Sequence, residues 1–385
     1  MKSLFEPKMI NIRRADENDF KSAEGLLTRY AKNNELLNKP VHVRNDNIFR
    51  LATYNVHYWS KISCCGDDKK KKEISNYNGI LDIVREIDPD IICFQEVNYG
   101  KTKYITEDLN DALKNRNFKI LSYCNTVPSW FDVPYGNAIA VNKRRTELYE
   151  DSHKKVPQKN KIYENYSGTT KCFIDIRIYG IRIICTHLDV HDNTGKVRME
   201  QIRELNGYTN DGIPTIILGD FNLINVDDYN DDQTYLNDLQ TAAKNREEYI
   251  STEEYKLIKS LGWIDSFDVK GDKPLYTVWN SSRVDYIFFK NFNRQQLNDL
   301  IMGSYVHFTS ESDHIPVFVD LDLNLLKKIG GYTELKQEGG DVEREIDILP
   351  MAGSSRKKYD NYNRDYMKYI KYKAKYLKLK STLGH

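Results

Sequence analysis

The sequence predicts an α+β chain in which a sandwich of β-sheets is covered by helices. Three observations predict it. Short apolar runs recur along the chain, each bounded by Gly, Pro or polar residues. Amphipathic segments of helical period lie between several of them. One run, FIDIRIYGIRIICTHLDV, has the form of a hairpin turning near Gly180, so part of the sheet is antiparallel.

The elements follow in order. Residues 1–48 are polar and form an N-terminal extension in which Asp19 to Asn33 carries a short helical pattern. FRLATYNVHYW, from Phe49, is the first strand-like run, and a lysine-rich gap (Gly66 to Lys72) follows it. A helix through Ile80, Leu81, Val84 and Ile87 is stopped by Asp88-Pro89. DIICFQEV is a second buried strand and Gly136 to Val141 a third. Val197 to Tyr208 is helical, and IPTIILGDF, RVDYIFF and HIPVFVDLDL complete the strand set. The main body thus spans 49–329. Residues 330–355, with glycine pairs and a proline but no period, form a linker. Residues 356–385 form a basic tail, with tyrosines at 359, 362, 366, 369, 372 and 376 on one helical face and lysines between them.

The chain has 385 residues, enough for a sizeable core, and a net charge of only +1. That balance hides an asymmetry. The tail holds ten basic residues against two acidic ones, so what remains between it and the N-terminal 50 residues is acidic. A negative body does not suit a protein that grips nucleic acid over its whole surface. It suits a metal-dependent site with a basic arm, able to bind nucleic acid or pair with another helix. The six cysteines (64, 65, 93, 124, 172 and 185) stand in apolar runs or lack zinc spacing, which predicts free thiols in a reducing compartment. The N-terminus has no sustained apolar stretch, and no run reaches the roughly 18 residues of a membrane span. The expectation is a soluble intracellular protein with no membrane partner.

Chemistry concentrates where apolar runs stop. GIPTIILGDFNLI leads six apolar or small residues into Asp220 and Asn222. Alone, this pattern fits a turn after a core strand. It is repeated: ATYNVH ends at Asn55, IICFQEV delivers Glu96, IICTHLD delivers His187 and Asp189, RVDYIFF carries Asp285, and ESDHIPV gives Asp313 and His314. Turns do not require that selection. Glu96, with Asn55 and Asp313, offers hard oxygen ligands suited to Mg2+ or Mn2+. Asp220 suits an attacking water, and Asn222 a phosphate oxygen. His314, with Asp285 fixing its tautomer, suits a non-bridging oxygen, and His187 a second cationic donor.

TYNVH, FQEV, GNAIAV, THLD, GDFN, RVDYIF and SDHIPV, in this order, resemble the endonuclease/exonuclease/phosphatase superfamily, the DNase I-like fold. The match covers about Phe49 to Leu325, and GDFN with a downstream SDHxP is its most specific pair. The resemblance implies a four-layer αββα sandwich of two mixed, mostly antiparallel sheets, and divalent-metal-dependent cleavage of a phosphoester. By motif position it implies Asn55, Glu96 and Asp313 as metal-side residues. It also implies Asp220 and Asn222 as the water-activating and phosphate-binding pair, His314 with Asp285 as the phosphate-contacting imidazole and its partner, and His187 as the THL histidine. Asn137 of GNAIAV, Trp279 and Arg198 are candidate substrate contacts, although Arg198 fits a packing role better.

The superfamily cuts many phosphoesters, so the fold does not choose one. Abasic-site endonucleases usually read NxDG in the first motif; here His57 stands in place of that Asp. Only three residues separate Trp279 from Arg283, which argues against an abasic pocket. The Tyr-Arg pair and PAWCDR-type segment of inositol-phosphatase-like members are missing, as are the secretion or membrane signals of sphingomyelinase-like ones. A nuclease-like or tyrosyl-DNA phosphodiesterase-like activity on nucleic acid is the expectation. The alternatives are a phosphodiesterase on a lipid or small phosphoester, and a weakly active protein that binds nucleic acid or a partner through its tail. The tail's KYLKLK ending and the Asn, Lys and Tyr usage resemble proteins of large DNA viruses. Lys69 to Lys72 reads as a solvated run, and Asp227, Asp228, Asp231 and Asp232 as an exposed insertion.

Overall fold

The computed structural model describes residues 45–57, 60–62, 73–75, 77–98, 113, 117–126, 135–145, 158–162, 171–190, 194–229, 236–237, 251–270, 273–274, 276–278, 282–307, 309 and 311–332. The sequence expectations for the N-terminal extension up to residue 44, the linker beyond 332 and the basic tail lie outside these residues. So do those for Cys64, Cys65, Lys69 to Lys72, Asp231, Asp232 and Trp279.

The strands are β1 (Ile48–Asn55), β2 (Ser60–Ile62), β3 (Glu73–Ser75), β4 (Ile91–Asn98), β5 (Phe118–Thr126), β6 (Tyr135–Asn142), β7 (Gln158–Ile162), β8 (Cys172–Ile178), β9 (Ile181–His187), β10 (Thr215–Asp220), β11 (Ile264–Asp265), β12 (Asp285–Lys290), β13 (Ile301–Val306) and β14 (Val317–Asp322). The helices are α1 (Tyr77–Ile87), α2 (Lys196–Tyr208), α3 (Glu253–Ser260), α4 (Arg294–Leu300) and α5 (Leu323–Ile329).

Two six-stranded sheets form, ordered β13-β14-β1-β4-β6-β5 and β11-β12-β10-β9-β8-β7. In each, a parallel pair sits at the centre and antiparallel strands extend from it. β1 pairs β4 in parallel and β14 antiparallel; β10 pairs β9 in parallel and β12 antiparallel. A parallel pair puts the C-terminal ends of both strands at the same edge. Asn55 and the Gln95-Glu96 step thereby meet at one edge of the first sheet, and His187 and Asp220 at one edge of the second.

The strand pleat sorts the apolar side chains into three layers. Leu51, Cys93, Ile139, Ile183, Ile216, Leu218 and Ile287 fill the space between the sheets. Their strand neighbours Ala52, Ile92 and Phe94 face outward against Ile80, Val84 and Ile87 of α1. Phe173, Ile184, Ile217 and Phe288 pack against Ile202 and Leu205 of α2 and Ile258 of α3. Both faces of each sheet are covered, so the central strands are continuous apolar runs rather than alternating ones. This is the four-layer sandwich the motifs implied.

Two expectations change. Cys124 and Cys172 form a disulfide, with a Cα–Cα distance of 6.4 Å and a sequence separation of 48. Both cysteines are expected from sequence to be free thiols, Cys172 as a small hydrophobe in its apolar run, but β5 and β8 lie in opposite sheets and bring the two together. Cys93 and Cys185 are buried free thiols. The cystine removes the cysteine argument for a reducing compartment. Asp228 is not part of an exposed insertion: its side chain is 4% exposed and sits 3.3 Å from Arg283 Nη1 and from Lys273 Nζ. Arg283 is fully buried, pairs with Asp265 at 2.5 Å and lies over the Tyr286 ring at 4.4 Å. That buried cation collects carboxylates which sequence alone leaves in solvent. Among the described residues no helix is long and apolar enough to cross a membrane.

Candidate active site

Asp220 is the hub. It closes β10, where the register sets it opposite His187 of β9 and Asp285 of β12. Gly219 makes this possible: a Cβ there would lie 1.9 Å from the Thr186 carbonyl oxygen, so only glycine lets β9 and β10 approach this closely. The chain then turns through Asn222 in a left-handed conformation (φ 49°). The Asn222 amide donates to Asp220 Oδ1 (2.9 Å), and its Nδ2 donates to the Leu188 carbonyl (3.1 Å). One N–H of that carboxamide is therefore used to hold the THLD loop.

His314 reaches the hub from the loop before β14. Its Nδ1 lies 2.8 Å from Asp285 Oδ2, and its Nε2 lies 3.8 Å from Asp220 Oδ2. Thr277 fastens the pair. Its Oγ1 accepts the Val284 and Asp285 amides (3.0 Å each), and its carbonyl accepts the Ile315 amide. Burial by itself would push His314 down; the Asp285 carboxylate, with Asp313 and Asp220, reverses this and holds the imidazole well above its ordinary value. Burial raises Asp285 to about 6 against the pull of His314. Near neutral pH the two form an imidazolium–carboxylate pair.

The first sheet supplies the other side. Asn55 donates from Nδ2 to Asp220 Oδ2 (3.0 Å) and accepts the His57 amide on Oδ1 (3.0 Å), so one carboxamide joins the two sheets. Glu96 has φ 56°, and the β4–β6 register shifts between Phe94 and Val97. That bulge separates neighbours. Gln95 is buried, with Nε2 3.5 Å from Cys185 Sγ in the inter-sheet core, whereas Glu96 keeps 17% exposure and lies 4.0 Å from His187 Nε2. Ser312 Oγ donates to the Asn55 carbonyl (2.8 Å) and lies 3.3 Å from Asp313 Oδ1, which places Asp313 beside the end of β1. Burial raises the Glu96 carboxyl; His57 lowers it and Asp313 raises it, with smaller pulls from Lys171 and His314. All these groups face one another.

Sequence reasoning missed Lys171. It is 3% exposed, and its Nζ lies 3.1 Å from His187 Nε2. Burial lowers its pKa, while Glu96, Asp220 and Asp189 act in the opposite direction. His187 Nε2 is also 3.4 Å from Asp220 Oδ2. The available signal was a lysine directly before the apolar run of β8, which looked like an ordinary strand edge.

Of the candidate substrate contacts, Asn137 is buried on β6 and donates to the Cys172 carbonyl (2.7 Å), next to Lys171. Arg198 is buried on α2, paired with Glu254 at 2.5 Å and bonded to the Asp189 carbonyl. Gln201 accepts the Asp189 amide. Arg198 and Gln201 shape the THLD loop from behind, which is a packing role.

The site therefore joins Asp220, Asp285, His314, His187 and Lys171 to Glu96, Asp313 and Asn55. Asp220, Asp285 and His314 present ligand atoms within 4.8 Å of one another, a spacing that would also hold a metal ion. A model of the Endonuclease/Exonuclease/phosphatase family matches residues 64–314, most of the chain. The chain belongs to that family. Family members hydrolyse phosphoester bonds, and the residues gathered here suit that reaction. Among solved structures, an endonuclease/exonuclease/phosphatase from Beutenbergia cavernae DSM 12333 is similar, with 14% identity, 72% of each chain covered and a TM-score of 0.51. An AP endonuclease from Archaeoglobus fulgidus matches at 17% identity over 71% of this chain and 99% of its own, with a TM-score of 0.45. A 3′ phosphatase from Neisseria bound to product DNA hairpin matches at 16% over the same shares, with a TM-score of 0.47. The first of these likenesses concerns the fold alone. No curated protein matches the sequence.

Proposed function

We propose that this protein is a divalent-metal-dependent phosphodiesterase acting on nucleic acid. One observation carries the chemistry: the buried Asp285–His314 pair is aimed at Asp220, across from Glu96 and Asp313. The donor set fits Mg2+ or Mn2+, since two carboxylates and a carboxamide are hard oxygen ligands, and the Asp313 charge raises the Glu96 carboxyl, a repulsion that a cation offsets. Glu96, Asp313 and Asn55 Oδ1 would hold it. A metal bound there supplies polarisation of a phosphoryl oxygen and offsets charge in the transition state.

The chain's own groups supply the rest. Asp220, anchored by Asn55 and the Asn222 amide, orients a water and accepts its proton. The His314 imidazolium, fixed by Asp285, faces the phosphorane oxygens, where charge develops. The second N–H of Asn222 Nδ2 is a further donor. A protonated Lys171 has no acceptor, so it donates to His187 Nε2 and leaves that proton on Nδ1. The cation on this wall is then Lys171, with His187 its neutral positioner, in place of the cationic role expected for His187.

The nucleic-acid preference rests on the motif departures from the inositol- and sphingomyelin-cleaving members and on the basic tail (356–385). The viral reading rests on the tail and the Asn, Lys and Tyr usage alone. The test is a metal-supplemented panel of single- and double-stranded DNA, RNA, abasic DNA, 5′-phosphotyrosyl DNA and a choline phospholipid. Cleavage of an oligonucleotide that EDTA abolishes is the expected result. Equal cleavage in chelator would overturn metal dependence, and cleavage of the phospholipid alone would overturn the substrate class.

A further inference from the structure

Sulfur ties the two sheets together at the point where Lys171 enters the site. The Cys124–Cys172 bond joins β5 of the first sheet to β8 of the second, and both side chains are buried in the core between them. A second tie runs beside it. Cys124 is registered opposite Asn137 of β6, and Asn137 Nδ2 donates to the Cys172 carbonyl (2.7 Å). Side chain and backbone of Cys172 are thus held from one spot of the first sheet. Lys171 is the next residue towards the N-terminus and lies outside β8. The pairing of β8 with β9 begins only at Phe173 and Thr186, and Cys172 is paired with Ile162 of the edge strand β7. Even so, Lys171 is buried, with Nζ 3.1 Å from His187 Nε2. Burying an ammonium is costly, and a lysine with backbone freedom turns its charge to water. One peptide bond separates this lysine from the clamp on Cys172.

We propose that the Cys124–Cys172 cystine is a positioning element of the active site, fixing the start of β8 so that Lys171 stays against His187, and that breaking it lowers turnover by releasing Lys171. This rests on the role given to Lys171 in the preceding section. Reduction by a dithiol breaks the S–S bond: two electrons and two protons turn the cystine into two thiols, and the dithiol becomes a disulfide. The strand pairings of β8 remain, so the sheet persists while the residue before its first strand position gains freedom. Activity of the site thereby depends on the oxidation state of two sulfur atoms in the core.

The test compares the oxidised full chain with its dithiothreitol-reduced form and with the double variant Cys124→Ala/Cys172→Ala, each checked for folding by circular dichroism. Lysine acylation with acetic anhydride, read by mass spectrometry, reports on Lys171 without reference to activity. Lys171 should be shielded in the oxidised chain and acylated at least about tenfold faster once the bond is gone. Lys290, buried at the opposite end of β12 from Asp285 and bonded to Asn206, should stay as it was and so controls for general loosening. With metal and a small phosphodiester, loss of the bond should lower kcat roughly ten- to a hundredfold and move KM little. In a Lys171→Met background the same loss should change kcat by less than about twofold, because the group being positioned is already absent. Equal shielding of Lys171 in folded chains with and without the bond would overturn the proposal. So would a drop in kcat as large in Lys171→Met as in wild type, which would make the cystine a brace for the whole fold. If Lys171 is released but no form cleaves any phosphoester, the phosphodiesterase reading falls, and the acylation result still assigns the cystine to Lys171.

Discussion

The two sides of the site are built to different tolerances. Asp220, Asp285 and His314 have side chains 1–8% exposed, and His314 sits 2.8 Å from Asp285. Glu96, Asp313 and His57 have side chains 15–19% exposed, and the Asp313–His57 approach is 3.9 Å. The first group is locked by backbone: β10 registers Asp220 beside Asp285, and Thr277 holds the Asp285 amide. The second is delivered by a bulge and two loop residues. Under the proposed function, the difference marks the second half as the one that a cation would complete. Charge-handling groups must be preorganised in a dry place to act on a transition state, and their opposite charges keep them together without help. Like-charged carboxylates repel and stay partly hydrated until a cation draws them in.

The strongest way to break this comparison is to remove the preorganised half. Asp220→Asn or His314→Gln should lower turnover of a small phosphodiester by about two to four decades with folding intact. A loss below tenfold in steady-state assays would show that this half does not run the chemistry. Next, Lys171→Met should cost about two to three decades in kcat, with part recovered in Lys171→Arg. Equal loss in both variants would assign Lys171 to packing instead. For the open half, Glu96→Gln should weaken Mn2+ binding by roughly 10–100-fold by calorimetry and leave the thermal midpoint of the metal-free chain nearly unchanged.

A smaller effect concerns pH. His314 is held above its unfolded value, so its contribution to stability is complete below about pH 6.5 and is lost as pH rises through its folded value. Asp285, raised to about 6, tilts stability the same way at lower pH, from its unfolded value upward. Denaturant unfolding in EDTA should show stability falling above pH 6.5 in wild type and a flatter profile there in His314→Gln. A parallel pair of profiles would deny the imidazolium. The smallest expected effect on catalysis comes from deleting residues 356–385. Oligonucleotide affinity and its salt dependence should drop while turnover of the small substrate persists. Unchanged affinity would remove the tail from substrate binding.

Much of this was legible in the chain. Runs such as IIL before Asp220 and IIC before Gln95-Glu96 are apolar throughout because their strands are covered on both faces, and a polar residue at the end of such a run has few places to go but a sheet edge. Apolar runs that deliver a polar residue at or near a strand end named Asp220, His314, Asp285 and Glu96 as candidates before any geometry. Local pattern determined those residues because strand burial and strand ending are local properties. Tertiary structure alone decided the rest. Cys124 meets Cys172 across two sheets; Arg283 collects Asp228 and Asp265; Lys171 is buried against His187; and His57 turns to Asp313. Each depends on the approach of segments far apart in sequence. A charged or sulfur-bearing side chain carries no local sign of which distant partner will offset its burial.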